Sequence, residues 1–155
     1  MKRVFLFIFL LIFACSDRKI EEKEKKEIEK MFQKYFKFLT LAYSKDDPSL
    51  LWPVASEHEI EQTKRTMLNM WGQGYHIEPY LKEFKITYLD VFQVNNGFAK
   101  TKEIWVVSYY DFKTRERKED NPNMELNVIY QLKKIDGIWK VTSRVPQETM
   151  IKVIP

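Results

Sequence analysis

Cysteine, histidine and glycine are all scarce in this chain: one, two and four residues among 155. The single cysteine, Cys15, excludes any disulfide within the chain. The two histidines, His58 and His76, lie far apart and match no recognised zinc spacing. His58-Glu59-Ile60-Glu61-Gln62 begins like a His-Glu-x-x-His zinc pattern, but Gln62 stands where the second histidine would be. No Gly-x-Ser-x-Gly elbow occurs either, so nucleophilic catalysis lacks a complete set of parts. Neither a metal nor another cofactor is therefore expected. Internal repeats and Gly/Ser- or Pro-rich dividers are also missing, which points to one folded domain. Finally, no apolar run is long enough to span a bilayer. Residues 4–15 make about 12 residues, roughly 18 Å as a helix, where about 20 residues are needed.

That short run has another meaning. Met1, Lys2 and Arg3 precede it, and Ala14, Cys15 and Ser16 close it. Basic, then apolar, then small is the layout of an export signal. Ile12-Phe13-Ala14-Cys15 resembles the lipobox of bacterial lipoproteins, with an aliphatic residue at −3, a small one at −1 and the cysteine, although Phe13 is bulky for −2. The resemblance implies a diacylglycerol on the Cys15 thiol, cleavage before it, and fatty acyl chains such as palmitate. The alternative is an ordinary signal peptide that happens to contain a cysteine. Each buried methylene contributes about 0.8 kcal/mol, and stable anchoring takes more than one chain. A diacylated cysteine satisfies that without protein–membrane contact. The expected location is the cell envelope, lipid-anchored to the inner or outer membrane. Ser16 directly after Cys15, with Asp17 next, leaves the choice of membrane open.

Charge is nearly balanced once the signal is removed. Of the 26 basic residues Lys2 and Arg3 leave with it, so 24 face 22 acidic ones, a formal charge of +2. With that balance outside the cytoplasm, nucleic acid is not an expected partner. The basic cluster Lys113 to Lys118 is interrupted by Glu116 and followed by Glu119 and Asp120, and reads as a solvated hairpin end. Residues 18–30 are mostly Lys and Glu. The pairs Glu21/Lys25 and Glu22/Lys26 favour a solvated helix by a few tenths of a kcal/mol each. The expected organisation is a signal at 1–14, a charged spacer at 15–27, a domain at 28–147 and a tail at 148–155.

Within the domain the period is helical first. Ile28, Met31, Phe32, Tyr35, Phe36, Leu39, Ala42 and Tyr43 recur at threes and fours and give one apolar face. Asp46-Asp47-Pro48 stops this helix. A short apolar piece, residues 49–54, is interrupted by Pro53. Ser56 with Glu59 forms a capping box for a second helix. Ile60, Met67, Leu68 and Trp71 form its expected buried stripe, and Gly72, Gly74 and Pro79 its end. After Leu81 the period becomes two. Phe84, Ile86, Tyr88, Asp90, Phe92 and Val94 are expected on one strand face, followed by the turn signal Asn95-Asn96-Gly97. Residues 98–112 are apolar on both faces around Trp105. A polar loop at residues 121–123 leads to the alternating Met124, Leu126, Val128, Tyr130 and Leu132. Asp136-Gly137 turns the chain into a last face of Trp139, Val141, Ser143 and Val145. Helices followed by four antiparallel strands predict an α+β fold: a long first helix and shorter ones packed on a curved sheet.

The long first helix, the broken second helical region, the long strands and the closing Asp136-Gly137-Ile138-Trp139-Lys140-Val141 resemble the nuclear transport factor 2-like superfamily, the cystatin-like cone, over residues 27–145. The resemblance implies two classes of function. One is non-catalytic: binding a partner protein or a small apolar ligand, or assembling as a homodimer through the sheet. The other is an enzyme like the ketosteroid isomerases or polyketide cyclases, whose acid sits in an apolar cone. Asp90 is the candidate general acid or base, with Tyr130 or Tyr109 as hydroxyl donor. Strand parity leaves Asp90's direction open, because Leu89 and Val91 make the opposite face apolar too. Trp71, Tyr88, Trp105, Tyr109 and Tyr130 are candidates to line a pocket; with Trp139 they could equally fill the core or form a dimer face. The non-catalytic reading is preferred, since no catalytic constellation is complete.

Cys15→Ala is expected to release the chain from the membrane fraction into the soluble fraction. Unchanged membrane association on fractionation would count against the lipid anchor.

Overall fold

A computed structural model describes residues 20–147; Cys15 and the tail at 148–155 lie outside the described residues. Helix α1 runs Glu22–Lys45, a 3-10 turn follows at Pro48–Leu51, and α2 is Glu57–Gly72. Four strands complete the domain: β1 Tyr75–Phe92, β2 Asn96–Asp111, β3 Arg117–Ile135 and β4 Ile138–Gln147. They form one antiparallel sheet in the order β1-β2-β3-β4, with the helices packed on one face. The fold is α+β, as the change of period indicates.

The eight apolar residues of the first helical stripe are all buried. Glu22 and Glu24 in the first turn and Lys45 in the last suit the helix dipole. The helix ends where Asp46 takes a left-handed conformation and its N–H bonds back to Ala42 and Tyr43. The Asp46 carboxylate then gathers the surrounding elements. It accepts from Trp71 Nε1 at 3.2 Å and pairs with His76 Nδ1 at 2.8 Å and with Arg115. Burial works against its charge, but the bonds from Arg115 and His76 outweigh that and hold its pKa below the usual carboxylate range. Beneath α1, Phe32 lies 5.0 Å from Tyr130 edge-on and Phe36 lies 5.0 Å from Phe84, ring centre to ring centre. This aromatic cluster packs α1 onto the sheet.

The start of α2 is pinned to the far edge of the sheet. Residues 54–56 make a short parallel bridge to β4, with Ser56 N–H bonded to the Val141 carbonyl at 2.9 Å and Val141 N–H to that of Val54 at 3.0 Å. Ser56 Oγ accepts the Glu59 N–H as an N-cap. The buried residues of α2 are Glu59, Ile60, Thr63 and Met67. Leu68, expected in that stripe, is half exposed.

Where the strands depart from simple alternation, bulges are the cause, because one extra residue reverses the facing of all that follow. β1 begins at Tyr75, earlier than the period change suggests. It accommodates Pro79 because it is an edge strand, paired only with β2. A register shift at Thr87 then flips the strand. Phe84 and Ile86 pack against the core before it and Leu89 and Val91 after it, while Tyr88 and Phe92 are exposed. The expected loop at residues 121–123 is instead an irregularity within β3, between the Trp105/Met124 and Val107/Asn121 pairs. On β4 a shift at Thr142 turns Arg144 inward and leaves Val145 exposed, replacing the expected Ser143/Val145 face. The β3–β4 turn follows its sequence: Asp136 and Gly137 have φ of 51° and 78°, as a two-residue hairpin turn requires.

Candidate functional site

Beside the aromatic cluster, which shares Tyr130 with it, a cavity of about 450 Å³ remains between the helices and the sheet. Its apolar wall comes from Leu39, Ile77, Val107, Met124, Leu126 and Val128, and its polar groups include Tyr43, Gln62, Arg65, Glu103, Tyr130 and Arg144. Two buried carboxylates organise these polar groups.

Glu59 is fully buried. Its Oε1 accepts from Tyr35 OH at 2.6 Å, Thr63 Oγ1 at 3.3 Å and Arg144 Nε at 2.9 Å. Arg144 Nη2 also donates to Tyr43 OH at 3.2 Å. Helix α2, the centre of α1 and strand β4 are thereby locked together around one guanidinium that also borders the cavity. Glu59 Oε2 has no hydrogen-bond partner among the described residues.

Glu103, on β2, is 3% exposed. Its Oε1 accepts from Thr101 Oγ1 at 2.6 Å and Tyr130 OH at 2.8 Å, and its Oε2 from Trp105 Nε1 at 2.8 Å. The Tyr130 hydroxyl is pushed well above the ordinary phenol range, by burial first and by the adjacent Glu103 charge second. Tyr35 is raised likewise, by burial first; Arg144 opposes the rise and Glu59 adds to it. Both phenols therefore stay protonated donors to their carboxylates.

Of the residues singled out from the sequence, Trp105 and Tyr130 line the cavity. Tyr109 is half-buried beside Tyr75, and Trp71 stacks on Phe112 at 5.5 Å while bonding Asp46. Tyr88 packs edge-on to Phe98 at 6.0 Å, with Lys100 Nζ 5.9 Å from its ring. Trp139 is buried in the core. Asp90 is the register partner of Phe98, so it lies on the sheet face away from the helices and away from the cavity. The flip at Thr87 is the physical reason: it turns Leu89 and Val91 inward and Asp90 outward. Asp90 and Tyr130 are not brought together. Among the described residues no group of three or more His, Cys, Asp or Glu is placed to hold a metal.

Glu59, Glu103 and Arg144 are the residues that sequence reasoning overlooked. Glu103 carried a signal, since it shares parity with Thr101 and Trp105 on a strand whose inward face is buried. Glu59 carried a weaker one, next to Ile60 and one helical turn before Thr63, but a capping-box role accounted for it. Arg144 carried none, because its direction depends on the bulge at Thr142.

Replacing Arg144 with Met is expected to destabilise the fold by about 3 kcal/mol, because it strands the buried Glu59 charge. That is the low end for breaking a buried pair, as Arg144 is 21% exposed. The Glu59→Gln/Arg144→Met double variant is expected to lose less than the two single losses combined; denaturant unfolding measures both. The raised tyrosines make a second expectation. A folded-state pKa above the unfolded value stabilises fully below the unfolded pKa and is lost as pH rises through the folded one. Stability is therefore expected to fall above about pH 10, and Tyr35 and Tyr130 to ionise only as the chain unfolds. Tyrosinate absorbance recorded alongside circular dichroism in an alkaline titration checks this.

No protein-family model matches the sequence, and no curated protein does. Solved structures do resemble the fold. The intermembrane space region of the chloroplast protein ARC6 superposes with a TM-score of 0.68 at 13% identity, over 80% of this chain and 96% of that one. A periplasmic fragment of TraM gives 0.56 at 6% identity, over 80% and 97%. A scytalone dehydratase-like protein from Novosphingobium aromaticivorans gives 0.52 at 17% identity, over 83% and 85%. At these identities the likeness shows the fold alone, an α+β domain with its helices packed on one antiparallel sheet.

Proposed function

We propose that this domain holds a small, largely apolar ligand without chemistry, on a chain that lipid on Cys15 tethers to a bacterial envelope membrane. The observation that carries the reading is the open, apolar-walled cavity. Its volume falls within the range of roughly 300–1,000 Å³ usual for small-molecule sites. Its polar groups favour holding over catalysis. Tyr130, Trp105 and Thr101 spend their donors on Glu103, and Arg144 spends two of its nitrogens on Glu59 and Tyr43. Asp90, the sequence's candidate acid, faces away. Two of the structural neighbours are described as regions of an intermembrane space and of a periplasm, which supports a setting between membranes. A protein partner or second copy on the outer sheet face is a second reading. It is favoured by Tyr80, Tyr88 and Phe92, which are 65%, 49% and 46% exposed.

The test is to isolate the full chain from native membranes and identify co-purifying small molecules by mass spectrometry. Leu126→Trp, which fills the cavity from its wall, is expected to lose that molecule while keeping its circular dichroism. Undiminished retention by the variant would remove the cavity from the account.

A further inference from the structure

We propose that the cavity selects an amphipathic ligand with an ammonium head group, the head lying against Glu103 and Gln62 and the hydrocarbon body along Leu39, Leu126 and Val128. The proposal rests on the reading of the cavity as a ligand site and adds the chemistry of what enters it.

Charge decides the sign of the head group. Arg144 is the cavity's inner cation, and its charge is already answered by Glu59 at 2.9 Å. Glu103 is bonded only by neutral groups, a threonine, a tyrosine and a tryptophan. No ion pair joins it to a Lys, Arg or His among the described residues. Glu59, Glu103 and Arg144 together therefore leave one negative charge at the inner end. Arg65 also borders the cavity, but it is exposed on α2, where water and salt screen it. An unpaired buried charge is unfavourable, so a cationic ligand gains there what an anionic one would lose.

Hydrogen-bonding capacity points the same way. A carboxylate offers about four acceptor sites, and Glu103 uses two on Oε1 and one on Oε2. Gln62 Oε1, also at the cavity, is buried without a donor. At Glu103 and Gln62 the unused capacities are acceptors, which suits a donor head group there; the spare N–H groups of the cavity belong to Arg144, whose charge Glu59 already answers. The rings of Trp105, Tyr130 and Tyr43 border the same space, and aromatic faces attract a desolvated cation. An alcohol would satisfy the acceptors without the charge; a carboxylate would satisfy neither.

The experiment compares phenylbutylammonium, phenylbutanol and phenylbutyrate binding to the full-length protein by calorimetry at neutral pH. The ammonium is expected to bind at least about tenfold more tightly than the carboxylate, with the alcohol between. Glu103→Gln is expected to abolish that preference while still binding the alcohol. Gln62→Leu, a change of similar size at a half-buried position of α2, is expected to weaken the ammonium and alcohol severalfold and leave the carboxylate unaffected, with circular dichroism confirming that the variant folds. Carboxylate binding as tight as ammonium binding, or alcohol binding with no head-group preference, would overturn the proposal and leave the ligand site standing. Binding of none of the three would overturn both.

Discussion

The ion pair between Glu59 and Arg144 joins the helical layer to the sheet, and its formation depends on two local features meeting. On one side, the bridge from residues 54–56 to Val141 sets Ser56 beside β4, where its cap starts α2 and aims Glu59 inward. On the other, the extra residue at Thr142 reverses the facing of β4 so that Arg144 meets that carboxylate. Two charges taken out of water are tolerable only when paired and hydrogen-bonded. Tyr35, Thr63 and Tyr43 supply the remaining bonds. Neither feature is useful alone, so the register of β4 and the position of α2 are coupled.

The aromatic cluster and the cavity beside it pack by different rules. Under α1, Phe32, Phe36, Phe84 and Tyr130 interlock ring against ring, since apolar surfaces can approach until no space remains. Beside that cluster charged and polar side chains converge, and most of them keep a partner at hydrogen-bond distance. Packing there is governed by geometry of polar contacts instead of close filling. The residual volume is bounded by apolar residues from the sheet and edged by groups whose bonds are largely committed. Under the proposed function, such a site holds and orients a molecule.

Much of the fold was legible. The stripe on α1 runs through most of a 24-residue helix, long enough for the helical period to be unmistakable, and each of its eight members is buried. The turn Asp136-Gly137 and the change of period gave the hairpins, because positive backbone angles and alternation are local properties. The site was less legible. Trp105 and Tyr130 keep the inward parity of their strands although register shifts lie beside both, so alternation is enough to find them. Asp90 was placed ambiguously and Arg144 missed, because each lies beyond a bulge. Leu68 looked like a buried residue by spacing, but α2 is steered by its attachment to β4, and that turns Glu59 and Thr63 inward instead.

The sequence by itself determined the class of fold, the core face of α1, the number of strands and the last hairpin turn. These follow from propensity and period acting over neighbouring residues. Only the tertiary structure decided which carboxylates were buried, which way Asp90 and Arg144 face, and that a cavity stays open. A buried charge is stable only beside a partner brought from another part of the chain, and a bulge arises only where two paired strands must be brought back into register. Both conditions exist once the sheet and helices are assembled, and neither is written in any one segment.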